Sequence, residues 1–278
     1  MRFGVVLPPA VIREGSAALA TEARRIEDLG FDFVWLAENE DHGVWDPFVA
    51  AAALAASTVS LRVVVEVPIG HRHPLQTAED AAVCDLSLNG RLVVVVRPAH
   101  GGEAAASEAL QLLFAAWRSR PFRHQGQHWT VPAHLDANSF GREQRIRVTP
   151  APAQPELPVW TVDLELGDAF GISVVAPSLE GGASIWQRLD EGHGRRAERL
   201  PHPAVIEVSP EHFDHSDLVE RLRDAERAWG LDTAVFRLSG DTADRPGLLS
   251  DLARLVRPRA QLDALPSGLA EVWDQLLT

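Results

Sequence analysis

The feature that most narrows the fold is a rhythm, in which short runs rich in apolar and β-branched residues alternate with helix-patterned stretches from one end of the chain to the other. Eight such runs stand at Phe3 to Leu7, Phe31 to Leu36, Leu61 to Val67, Leu92 to Val96, Pro158 to Val162, Ile172 to Ala176, Ala204 to Val208 and Ala234 to Leu238. Several are apolar throughout, as strands buried on both faces should be, and their alternation with helices implies repeated βα units around a parallel sheet. In the helix predicted over Ala17 to Leu29, Leu19, Ala23, Ile26 and Leu29 share one side, Arg24, Arg25, Glu27 and Asp28 the other, and Gly30 ends it. Leu218 to Trp229 repeats the design, with Leu218, Leu222, Ala225 and Trp229 inward and Gly230 at the C-cap.

Eight strands in 278 residues fit a single (β/α)8 TIM barrel spanning residues 1–278, with no linker or internal repeat to divide it. An open, doubly wound sheet would need fewer strands and usually a glycine-rich first turn. The first turn here is Pro8-Pro9-Ala10, which cannot cradle a pyrophosphate. The longest stretch without a strand, Pro98 to Leu157, opens with a helix ending near Trp117; excursions of this length commonly carry function or cover a site.

Charge and composition remove several functions. A formal net charge of −13 repels phosphate backbones and anionic headgroups, so neither nucleic acid nor a membrane surface is an expected partner. The chain has no Lys and no Tyr, which excludes a catalytic lysine, a Schiff base and a tyrosine acid. The lone Cys84 has no internal disulfide partner and reads as a buried thiol in a reducing cytoplasm. Met1-Arg2-Phe3-Gly4 runs straight into a strand, so no signal peptide is expected, and no stretch approaches the roughly 20 apolar residues of a membrane helix.

Several segments, in order, carry a resemblance. They are Arg2-Phe-Gly-Val-Val-Leu-Pro8, Leu29-Gly-Phe-Asp-Phe-Val-Trp-Leu-Ala-Glu38, Asp46-Pro-Phe48, Ala55-Ala-Ser-Thr58, Arg72-His-Pro74, Leu86-Ser-Leu-Asn-Gly-Arg-Leu92 and Pro158-Val-Trp160. Over about the first 160 residues the chain resembles the luciferase-like flavin oxidoreductases. The resemblance implies a luciferase-like TIM barrel, flavin mononucleotide (FMN) or a deazaflavin as cofactor, and monooxygenase or hydride-transfer chemistry on a small organic substrate. It also implies a flavin reductase or flavoprotein partner, and a homodimer through the Ala-rich helix Phe48 to Ala56.

Carried over by position, the implied cofactor contacts are Glu38 and Asn39 after the second strand, Val65 and Glu66 on the third, Val96 and Arg97 on the fourth, and Asp163 after the fifth. The chain departs from the family pattern at these places. Glu38-Asn39 stands where the family often has Asp-His, with His42 following as a substitute. Val95, Val96 and Arg97 stand where small glycines would receive the ring. Asp163 and Glu165 stand where small hydroxyl residues would hold the phosphate, which leaves Arg97 and Arg245 as the nearest basic groups.

Glu66 is the sharpest anomaly, because a lone carboxylate inside Val63 to Val67 must end in a cleft or be buried with a partner. Arg97 ends the adjacent strand, about 4.8 Å away, and suits carboxylate pairing. Two readings stay open at this stage: the pair plugs the flavin seat, or Glu66 is a general base and Arg97 an anion clamp, with His42 as a further catalytic candidate. The same residues admit two other descriptions of the whole protein, a catalytically silent barrel serving as a partner subunit or ligand-binding protein, and a cofactor-free acid/base enzyme using Glu66, Asp163 or His42. His71 and His73 flank Arg72 but read as turn residues, so no metal is expected. His124, His128, His212 and His215 read as solvated loop histidines, and Trp35, Trp117, Trp160 and Trp186 as core.

Overall fold

A computed structural model of the chain describes residues 1–37, 46–118, 120–132, 145–193, 200–209, 214–239 and 246–254. The first half contains β1 (Arg2–Leu7), α1 (Pro9–Arg13), α2 (Ser16–Asp28), β2 (Phe33–Leu36), α3 (Pro47–Ala53), β3 (Arg62–Ile69), α4 (Pro74–Ser87), β4 (Leu92–Pro98) and α5 (Glu103–Trp117). A two-stranded hairpin of β5 (His124–Gln125) and β6 (Thr130–Val131) follows. The second half contains β7 (Val159–Thr161), α6 (Leu164–Phe170), β8 (Ser173–Val174), α7 (Leu179–His193), β9 (Pro203–Val208), α8 (His215–Trp229) and β10 (Thr233–Leu238).

Eight strands pair in the order β8-β7-β4-β3-β2-β1-β10-β9, and every pairing given within that sheet is parallel. The two ends of the sheet meet at a parallel bridge between Ala176 and Ala204, where Ala176 N–H donates to Pro203 O at 2.9 Å and Val205 N–H to Ala176 O at 2.9 Å. All eight predicted strands are therefore present, in the arrangement of a (β/α)8 barrel. Three are shorter than their apolar runs suggested, β2 beginning only at Phe33. β7 stops at Thr161 because Asp163 already caps α6, and β8 keeps only Ser173–Val174 in regular pairing before the single bridge at Ala176.

Strand alternation sorts the core into two shells. Phe33, Trp35 and Trp160 fill the barrel interior with a collar of valines from β1, β3, β4, β9 and β10 and Val175 just after β8. The opposite face of each strand, including Val65 and Val96, packs against the helices. The aromatic interior explains a small residue in β1: a Cβ on Gly4 would lie 2.8 Å from Phe33 Cβ, so β1 can approach β2 there only as glycine. Phe33 in turn meets Trp160 at a centroid distance of 5.9 Å. The neighbouring rings fill the barrel's middle.

Polar staples close the N-terminal end of the barrel. The Glu27 carboxylate accepts backbone N–H groups from Val59, Ser60 and Leu61 at 3.0, 2.6 and 2.8 Å. The Arg91 guanidinium donates to Leu61 O at 2.7 Å, Thr58 O at 3.0 Å and Thr58 Oγ1 at 2.9 Å. These bonds satisfy loop groups that would otherwise be left half-buried without partners. Chemistry in barrels sits at the other end, at the C-terminal ends of the strands.

Candidate active site at the barrel mouth

Alternation along β3 turns Val64, Glu66 and Pro68 inward, and along β4 turns Val93, Val95 and Arg97 inward. β3 and β4 pair without interruption from Val63 opposite Leu92 to Ile69 opposite Pro98, which sets Glu66 beside Val95 and Pro68 beside Arg97. The predicted meeting of the two charges takes place. Arg97 Nε lies 3.5 Å from Glu66 Oε1, with the side chains 29% and 15% exposed. At that separation the attraction is mainly coulombic, since good N–H···O bonds run shorter. Arg97 Nη1 also donates to Pro98 O at 3.4 Å.

Burial pushes the Glu66 carboxyl above its ordinary value, against the opposing pull of the Trp35 indole N–H and the Arg237 charge. Glu66 therefore keeps its proton to higher pH than a free glutamate would. Burial lowers the Arg97 guanidinium from its usual value. On the far side of the mouth Arg237 Nη1 contacts Glu207 Oε1 at 3.2 Å, both well exposed, from paired positions on β10 and β9. The described mouth thus holds two acid–base pairs, one sunk and one on the rim.

The glycines of the region lie beyond the strands. Gly70, at φ +114°, closes the turn after β3 against the Gly102 carbonyl of the turn after β4, and His71 lies across Gly102. Neither position tolerates a Cβ without displacing a neighbour. These small residues serve the close approach of two loops, while β4 itself presents valines and an arginine.

Helices that follow barrel strands point their N-termini at the mouth, where free N–H groups would attract anions. Side chains of the chain itself occupy those of α3, α4, α6, α7 and α8, whereas α1 and α5, with Pro8 and Gly102 at their N-caps, have no side-chain cap. Asp46 accepts from Phe48 and Val49 N–H at α3, His73 from Leu75 N–H at α4, Asp163 from Leu166 N–H at α6, and Asp214 from Ser216 and Asp217 N–H at α8. At α7, Ser178 Oγ accepts from Gly181 N–H, and Glu180 of the first turn pairs with Arg221 at 2.9 Å. Arg72 ties two of these elements together, reaching Asp46 at 3.3 Å and Asp80 at 3.1 Å.

Of the residues singled out from the sequence, the structure brings Glu66 and Arg97 together and places Asp163 at a cap. Val65 and Val96 are fully buried in the outer shell, so their side chains face the helices and leave only backbone to the mouth. Glu38, Asn39, His42, His212 and Arg245 lie outside the described residues. His73 is a helix cap, and among the described residues no cluster of three or more metal-ligating side chains occurs. His124 corrects the expectation of a solvated loop histidine: its Nε2 lies 2.8 Å from Glu108 Oε1, because the hairpin folds back onto α5. His215 opens α8.

Trp35, Arg237 and Glu207 were missed as mouth residues. The signal was present, since each stands two residues along its strand from an inward valine or aromatic, the parity that turned Glu66 inward. The carboxylate caps were also legible, as Asp directly before helical patterns.

The family model for luciferase-like monooxygenases matches residues 1–161. No curated protein matches the chain. Among solved structures the fold is similar to a riboflavin lyase with modified FMN and riboflavin, at TM-score 0.69 and 13% identity over 94% of this chain and 92% of that one. It is also similar to the oxygenating constituent of 3,6-diketocamphane monooxygenase from Pseudomonas putida in complex with FMN, at TM-score 0.65 and 14% identity over 93% and 98%. A third is the coenzyme F420 dependent tetrahydromethanopterin reductase from Methanopyrus kandleri, at TM-score 0.66 and 12% identity over 93% and 99%.

Proposed function

Because the chain belongs to the luciferase-like monooxygenase family, we propose that it is a divergent oxidoreductase of that family, in which a small organic substrate meets the Glu66–Arg97 pair beside an altered, weakly binding flavin seat. The observation that carries this reading is the pair itself, sunk at the C-terminal end of β3 and β4 where barrel chemistry is kept. Glu66 can hold or release a proton at Oε1, and Arg97 can fix an anionic group of the substrate.

The ring and phosphate ends of a flavin fare differently at this mouth. A planar ring can rest on the partly exposed Arg97 side chain. The phosphate end meets a poor cradle among the described residues, since side chains cap the N-termini of α3, α4, α6, α7 and α8, Glu103 stands in the first turn of the uncapped α5, and Asp163, Glu165, Glu180 and Glu207 add negative charge. FMN or a deazaflavin is accordingly expected to bind loosely, supplying electrons when it does.

Titrating the purified protein with oxidised and reduced FMN and with a deazaflavin, followed by flavin fluorescence and tryptophan quenching, tests this. Saturable but weak binding is expected. No binding of any form would overturn the oxidoreductase reading in favour of a catalytically silent barrel acting beside a flavin reductase or flavoprotein, the reading that the carboxylate-capped helix ends favour.

Two further expectations belong to this proposal. Val49 on α3 with Val83 and Leu86 on α4 are 68%, 51% and 47% exposed, which suits a homodimer through these helices. Light scattering should give twice the chain mass, and a monomer at micromolar concentration would remove this expectation. A cytoplasmic location suits the buried Cys84, whose thiol burial pushes up to about 12. Among the described residues no helix is long and apolar enough to cross a membrane.

A further inference from the structure

Three neighbouring strands present one polar group each to the same part of the mouth: Trp35 on β2, Glu66 on β3 and Arg97 on β4. Trp35 is 1% exposed, and its Nε1 has no hydrogen-bond partner among the described residues. A buried indole N–H left unsatisfied costs stability, so its persistence asks for an explanation. That N–H is close enough to favour the charged form of the Glu66 carboxylate without completing a bond to it, while the carboxylate lies 3.5 Å from Arg97 Nε. Glu66 thus has one long ion pair and one unused donor on opposite sides.

We propose that Glu66 is a displaceable gate over Arg97: a small monocarboxylate ligand takes its place on the guanidinium, and the Glu66 side chain moves onto the indole N–H of Trp35. The proposal rests on the mouth being the substrate site, and it names the substrate class as small organic acids. A ligand carboxylate reproduces the group Arg97 already faces, and the displaced Glu66 finds a donor, so the exchange leaves no buried charge without a partner. Phosphate esters are a poorer match, because side chains already cap α3, α4, α6 and α8 and the uncapped α5 N-terminus carries Glu103 in its first turn. Arg237, paired with Glu207 on the rim, adds positive potential that also favours the charged form of Glu66.

The test uses the full chain labelled with 15N at its tryptophan indoles, titrated with sodium acetate against sodium chloride at matched ionic strength. One indole N–H signal, missing in Trp35→Phe, is expected to move downfield saturably with acetate and to stay still with chloride. Glu66→Gln removes the competing charge, so acetate should bind that variant roughly five- to tenfold more tightly, the worth of a half-buried ion pair. Arg97→Gln should abolish the saturable response. If Trp35→Phe does not fold, the Glu66→Gln affinity decides alone. An unmoved indole signal, or acetate binding that weakens in Glu66→Gln, overturns the gate. A chain that binds flavin but shows no acetate response loses only the gate. One that responds to acetate but takes up no flavin keeps the gate and loses the flavin reading.

Discussion

Asp85→Ala is expected to lower the stability of the fold by about 4 kcal/mol, because three donors would lose their acceptor inside the protein at once. Asp85 sits in the last turn of α4 and is fully buried. Its Oδ1 accepts Leu92 N–H at 3.3 Å and Gln154 Nε2–H at 2.8 Å, and its Oδ2 accepts Gln154 N–H at 2.9 Å. Gln154 Nε2 donates again to Leu92 O at 2.8 Å. One carboxylate therefore binds the end of α4, the first residue of β4 and the segment that leads into β7.

The turn between them is built for this: Asn89 and Gly90 take φ of 53° and 77°, and Gly90 N–H returns to Asp85 O at 2.9 Å. Loss of the staple should loosen β4 and β7 together, and with them the placement of Arg97. Urea unfolding of the variant measures it, and a loss below about 1 kcal/mol would show that water replaces the carboxylate without penalty. Asp85→Asn should fall between, since the amide keeps one acceptor but turns donors toward donors.

Why Asp85 was not singled out from the sequence shows where such reading stops. The strands were legible because burial on both faces leaves runs such as Leu92 to Val96 with no polar residue, a signal that needs no knowledge of the partner strand. The amphipathic helices were legible for the same reason, in Leu19, Ala23 and Ile26. Asp85 bonds to Gln154, which lies 69 residues away, and no local pattern marks that distance. The hairpin of β5 and β6 was invisible because two-residue strands cannot show a period of two.

At the mouth, the Glu66–Arg97 pair could be argued because both residues break apolar strands that parallel pairing makes neighbours. Parity carried that argument, and it also corrects the assignment of Val65 and Val96, which share their strands with Glu66 and Arg97 but face the opposite way. Extending the same parity to Val235 and Val205 would have found Arg237 and Glu207. What parity could not supply was the unused donor on Trp35, since whether a buried N–H finds a partner is settled by side-chain rotamers and not by strand register. Asp163 was read from sequence as standing where hydroxyl residues would hold the phosphate; the structure adds that it consumes an N-terminal N–H of α6 that a phosphate would have used, as Asp214 does at α8.

Glu108→Ala is expected to release the hairpin from α5 and cost about 3 kcal/mol, as backbone donors lose a charged acceptor. The Glu108 carboxylate accepts N–H groups from Gln127, His128 and Trp129 at 3.0, 2.9 and 2.9 Å, and His124 Nε2 approaches it at 2.8 Å. Gly126 has no room for a Cβ beside it. Burial alone would raise this carboxyl; the His124 bond and the N–H groups of His128 and Trp129 outweigh burial and hold it at about 2, below its ordinary 4.5. A depressed carboxyl stabilises the fold fully above its unfolded pKa and loses that contribution as pH falls through the folded one. The wild-type hairpin should therefore stay docked at pH 5 and come away as pH falls from 4.5 toward 2, while Glu108→Ala should show no such acid transition. Amide exchange at residues 127–129 across that range reads the effect directly. Protection that is equal in both proteins at pH 5 would mean the hairpin is held by Trp129 packing against the core and not by the carboxylate.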